Sequence, residues 1–140
     1  MIKSNIYLIL SVSCLIAVLM ISNNSLKKFS LESISGKWMG VYKNSNVILE
    51  MKKNNSCSLE FSDVKSGEIE KFSGDCNIDY EKSPYSLIMT NIIELNTSLY
   101  SLIMQINYNT IHISEFSNRW KLRPVMLTKE NTIILRRYIN

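Results

Sequence analysis

The chain has 140 residues and a net charge of +4, from 16 Lys and Arg against 12 Asp and Glu. Residues 36–140 make about one hundred positions, enough for one domain with one core and too few for two. The whole sequence has nineteen Ile but a single Ala, Ala17, which argues against a helical fold: the best helix former is missing and a β-branched residue is abundant.

The first element is the uncharged run Ile6–Ile21, IYLILSVSCLIAVLMI, preceded by Lys3 and followed by a polar segment. As a helix its sixteen residues would span roughly 24 Å, just short of the ~30 Å hydrocarbon core of a bilayer. Residues 1–22 therefore read as a signal anchor or signal peptide, with everything after them exported. Ser22-Asn23-Asn24 makes a poor signal-peptidase site, which favours an uncleaved anchor. Leu10–Cys14 resembles a lipobox in which Cys14 would be acylated, but Ser11 stands where an aliphatic residue is usual and apolar residues continue past Cys14. Lys27 and Lys28 lie after the run and Lys3 before it, a charge balance that works against export. The abundance of Ile, Asn and Lys suits an AT-rich bacterial genome. The expected location is the bacterial cell envelope, with the chain held to the inner membrane through residues 6–21 and the domain facing the periplasm or exterior.

Residues 23–35, rich in Ser, Asn and Lys, read as a solvated linker with one helical turn around Leu31–Ile34. Short apolar runs about ten residues apart follow, at 37–43, 47–52, 57–63, 69–76, 85–91, 99–107, 110–116 and 133–138, bounded by Asn-Ser, Asn-Asn, Ser-Gly, Ser-Pro and Tyr-Asn turn signals. Eight strands at hairpin spacing predict an all-β domain over 36–140, an antiparallel meander that closes into a small barrel and so removes its sheet edges.

One hairpin can be argued residue by residue. If Cys57 faces Cys76, Leu59 falls opposite Gly74 and Phe61 opposite Phe72, leaving a loop from Val64 to Ile69. Cys57, Leu59, Phe61, Phe72, Cys76 and Ile78 then share one apolar face while Ser58, Glu60 and Ser62 look outward. A Cys57–Cys76 disulfide is expected in an exported chain, worth about 3 kcal/mol for a loop of this size. With one distant histidine, two cysteines do not match the paired ligand spacing of a zinc site.

Gly36-Lys37-Trp38 opening the first strand, GDCNIDYEKSPYSL at 74–87, the Arg123-Pro124 pair and a last strand ending Leu135-Arg136-Arg137 resemble the lipocalin-like group of small secreted β-barrels. The resemblance covers residues 34–138. It implies that Trp38 packs at the closed end of the barrel and that a last-strand arginine, Arg136 or Arg137, lies across its face in a cation–π contact of about 0.5–2 kcal/mol. Strand alternation lets only one of the two reach it. The chain is shorter than a typical lipocalin, which leaves less room for a ligand cavity.

Charge is uneven. From 117 to 140 the basic residues Arg119, Lys121, Arg123, Lys129, Arg136 and Arg137 face one acid, Glu130, whereas Glu60, Asp63, Glu68, Glu70, Asp75, Asp79 and Glu81 gather in the middle. Arg119, Trp120, Lys121 and Arg123 are candidate partner-binding residues, for anionic headgroups or an acidic protein, against the plainer reading of solvated strand faces and loops. No nucleic-acid motif is present, and nucleic acid is not an expected partner.

Catalysis finds little support. His112, the single histidine, alternates with Ile111 and Ile113 and so faces away from both. No nucleophile elbow, phosphate loop or His-Glu-x-x-His occurs, and nothing selects a working pair from Asp75, Asp79 and Glu81. The sequence predicts a membrane-tethered binding module without enzymatic activity, cofactor or metal, acting on a small apolar ligand or an envelope protein. An inhibitor of the immunity-protein type, or an accessory subunit of a membrane complex, is the alternative.

Overall fold

From Gly36 onward, short apolar runs recur about every ten residues, and in each a strand sends successive side chains to opposite faces. A computed structural model, describing residues 30–139, resolves this pattern into eight antiparallel strands. They are β1 (Gly36–Tyr42), β2 (Ser45–Met51), β3 (Ser56–Asp63), β4 (Ile69–Asp79), β5 (Tyr85–Thr90), β6 (Leu99–Asn107), β7 (Thr110–Ser114) and β8 (Thr132–Arg137). Each strand pairs with the next, and β8 returns to β1 through Trp38↔Arg137 and Met39↔Arg136, so the sheet closes into a barrel as expected. Inside it Val47, Leu49, Leu59, Leu87, Ile103, Ile111 and Ile113 are all 0% exposed. The run Ile6–Ile21 and Cys14 lie outside the described residues; among those described, no helix is long and apolar enough to cross a membrane.

The expected disulfide joins Cys57 to Cys76, with 5.7 Å between Cα atoms. The register around it differs from expectation. Cys57 faces Gly74, Leu59 faces Phe72 and Phe61 faces Glu70, a slip of two residues. The cause is the turn. The Asp63 carboxylate accepts from the amides of Lys65 (2.8 Å) and Ser66 (2.7 Å), and Gly67 at φ +73° donates to the Asp63 carbonyl (3.0 Å), tightening the connection. Because the slip is even, every side chain keeps its face.

The disulfide therefore links diagonal neighbours, at a point where β4 changes partner. Its first half pairs with β3, and from Asp75 onward it pairs with β5. A Cβ at Gly74 would run into the Thr90 carbonyl, so the crossing requires glycine. β7 ends earlier than the run 110–116 predicts, since the Ser114 hydroxyl takes the Leu102 amide (2.9 Å) in place of a ladder carbonyl.

The expected helical turn at Leu31–Ile34 is present, but it packs on the barrel instead of standing in solvent. Ser30 and Ser33 form a reciprocal capping box that starts a one-turn helix, α1 (Leu31–Ile34), and its Ile34 is 0% exposed against the core. This turn covers one end of the barrel. The opposite end is ringed by the β1–β2, β3–β4 and β5–β6 connections and by the long β7–β8 loop, which folds back along the outer wall.

Candidate functional site

At the covered end, Trp38 is 0% exposed and its indole N–H donates to the Ile34 carbonyl at 2.7 Å. The Arg137 guanidinium sits 4.2 Å from the Trp38 ring centre and 4.6 Å from that of Tyr108. It donates to the carbonyls of Ser33 (2.7 Å), Ser35 (2.8 Å) and Tyr108 (3.0 Å), tying α1 and the β6–β7 turn to the last strand. Arg136, one position earlier, points to the outside and is exposed. Cys57 and Cys76 are buried in the same core.

The open end offers a site that the sequence reading did not single out. Tyr42, Phe61, Phe72, Leu99, Glu115, Phe116 and Ile133 line a depression of about 450 Å³, within the ~300–1,000 Å³ usual for ligand pockets. Strand alternation supplies most of its wall. Tyr42 continues the inward face of β1 that starts at Trp38, Phe61 and Phe72 occupy inward positions of β3 and β4, and Leu99 opens β6. Glu115, just past β7, continues the inward series Ile111 and Ile113, which brings one carboxylate to an otherwise apolar mouth.

That carboxylate is satisfied from its own rim. Lys43 Nζ donates to Glu115 Oε1 at 2.7 Å, and the Tyr42 hydroxyl donates to the same oxygen, lying also 2.9 Å from the Glu130 carbonyl. Lys43 adopts the left-handed region, φ 54°, in the β1–β2 turn. The Lys43 and Tyr42 hydrogen bonds hold Glu115 below the ordinary carboxylate range. Burial and the bond to Glu115 raise Tyr42, and the bond to Glu115 raises Lys43. A second depression of about 490 Å³, between the β5–β6 connection and the β7–β8 loop, shares Leu99, Glu115 and Phe116 with the mouth. The visible signal for this site was an acid standing where the period of β7 calls for an apolar residue.

The other candidates lie elsewhere. Arg119, Trp120, Lys121 and Arg123 sit on the β7–β8 loop against the outer wall, where Trp120 meets Tyr100 edge-on at 5.3 Å and Arg123 lies 3.7 Å over the Trp120 ring. His112 is on the outer face of β7, between Met104 and Ile134. Asp75, on β4, accepts from Asn91 Nδ2 (2.7 Å) just past β5, and Asp79 accepts from the Glu81 amide (2.9 Å) in the β4–β5 connection. Among the described residues, no three His, Cys, Asp or Glu side chains are grouped to hold a metal ion. Compared with known proteins, the chain matches no family model, no curated protein and no solved structure.

Proposed function

We propose that this chain is a non-enzymatic binding module of lipocalin-like type, tethered to the bacterial envelope by its N-terminal run, and that its mouth holds a small apolar ligand. The observation that carries the reading is the mouth itself: half-buried Phe61, Phe72 and Phe116 around one carboxylate that is already bonded to Tyr42 and Lys43. Exposed aromatic walls favour an apolar guest, and the fixed carboxylate offers a single point for orientation. A carboxylate engaged by a lysine and a tyrosine is poorly placed to move protons, which supports binding over catalysis.

An inhibitor or immunity-type role is the second reading. It draws on the filled interior beneath the mouth, which leaves room to grip a partner's side chain from outside but not to enclose a long ligand. The test is photolabelling of the full chain with a small aromatic diazirine, cross-links being mapped by peptide mass spectrometry. Labelling should concentrate on peptides holding Phe61, Phe72 and Phe116 and fall at least tenfold, a loss of about 1.4 kcal/mol, in Phe72→Glu. Labelling spread evenly over the surface, or unchanged in Phe72→Glu, would refute the ligand reading. A toxin gene immediately upstream would favour the inhibitor.

A further inference from the structure

We infer that the β7–β8 loop is a docking surface for an anionic lipid bilayer, independent of whatever the mouth holds. The loop presents apolar side chains that the fold does not cover: Trp120 is 48% exposed, Leu122 67%, Val125 79% and Met126 60%. Single exposed apolar residues need no explanation, but four within seven positions of one loop do.

Cations are interleaved with them at Arg119, Lys121, Arg123 and Lys129. Among the described residues no carboxylate forms an ion pair with any of the four, the two bridges present being Lys43–Glu115 and Lys53–Glu32. The positive charge is therefore left for an outside partner.

The loop is also built to hold its shape. Tyr100 and Ser117 exchange backbone hydrogen bonds of 2.8 and 2.9 Å at its start, and Asn131 takes the Thr128 amide (2.9 Å) and reaches the Met126 carbonyl (3.2 Å) at its end. Trp120 stands between Tyr100 and Arg123, so its ring is oriented before anything binds. An amphipathic aromatic ring flanked by aliphatic and basic side chains is the composition that settles at a headgroup boundary.

A bilayer fits better than an acidic protein because exposed side chains on a loop laid along the barrel wall can enter lipid without a shaped counterpart, whereas a protein would have to supply matching pockets. Eight residues separate Ile21 from Ser30, an extended span of at most ~29 Å, so the tether proposed above, on which this argument rests, would hold the domain close to the surface.

The test uses the full chain reconstituted in vesicles that carry a shallow doxyl-labelled lipid. One set is phosphatidylcholine alone, the other equal parts phosphatidylcholine and phosphatidylglycerol. Trp120 emission should be quenched in the anionic set and not in the neutral one, while Trp38, 0% exposed, stays unquenched in both. Arg119→Gln with Lys121→Gln and Lys129→Gln leaves the Arg123–Trp120 stack in place. It should shift the docking equilibrium about 100-fold toward release, roughly fivefold per charge, with an unchanged melting temperature. Trp120 remaining unquenched in anionic vesicles would overturn the proposal, and is the result an acidic protein partner would give. Equal quenching in neutral vesicles, or undiminished quenching in the triple variant, would overturn it as well.

Discussion

Arg137→Lys tests the covered end of the barrel at its most connected residue. The guanidinium makes three hydrogen bonds to backbone carbonyls and stacks on two rings. A lysine ammonium, a point charge on a flexible stem, can reach one of those carbonyls but lacks the planar fork that spans all three. Two charge-assisted bonds are lost at about 1.5 kcal/mol each, the low end of the range because the site is only half buried. Lost stacking adds about 0.5 kcal/mol. The total of about 3–4 kcal/mol should lower the melting temperature by about 12–16 °C, at roughly 4 °C per kcal/mol for a domain of this size. Arg136→Lys, at an exposed position, should change it by less than about 2 °C. Thermal melts of the two variants side by side give the comparison, and faster amide exchange at Ile34 and Ser35 in Arg137→Lys alone would place the damage at α1. If the two variants melt together, α1 is held on by its own packing and the arginine is incidental.

Two further outcomes follow from local geometry. Reducing the Cys57–Cys76 bridge, which closes a separation of 19 residues, should cost about 3 kcal/mol, read as a lower denaturant midpoint with dithiothreitol; identical midpoints with and without reductant would refute this. The mouth cluster should also carry its own pH dependence. Glu115, lowered by Lys43 and Tyr42 from an ordinary 4.5, adds stability above that value and loses it as pH falls through the lowered one. Tyr42 and Lys43, raised from 10.0 and 10.5, add stability below those values and lose it as pH rises through the raised ones. The melting difference between the native chain and Glu115→Gln should therefore be flat from about pH 5 to 9 and shrink outside that window, and a difference independent of pH would exclude the cluster.

Most of the barrel was legible because eight short apolar runs recur about every ten residues between turn signals, the spacing of a hairpin meander. The β3–β4 register was misplaced because parity alone permits any even slip; the deciding groups were the Asp63 carboxylate and Gly67, whose turn chemistry acts only over four residues. The covering turn was visible at Leu31–Ile34 but not its destination, since a capping box says where a helix begins and not what it packs on. The choice between Arg136 and Arg137 needed the β1–β8 pairing, a contact between the two ends of the domain that no local pattern encodes. The mouth was hidden for a related reason. Tyr42, Lys43 and Glu115 meet across 72–73 residues of sequence, and only the break in the Ile111–Ile113 series marked the acid.

The two ends of the barrel meet one geometric problem with opposite solutions. Eight strands enclose a space that side chains just fill at mid-height, leaving inward positions at each rim short of cover. At one end a helical turn descends on Trp38, and Arg137 fastens it by its backbone carbonyls, so the rim becomes core. At the other end no element among the described residues descends. Tyr42, Phe61 and Phe72 stay half-buried, and the inward carboxylate is satisfied by the rim instead of by a lid. A chain needing stability alone would gain by covering both ends, since each buried aromatic side chain is worth about 1.5–3 kcal/mol. Leaving the rim aromatics half-buried forgoes part of that gain, and a guest seated there would recover it. Substitutions at Trp38 and Arg137 should accordingly register in melting temperature, and those at Phe61 and Phe72 chiefly in what the mouth holds.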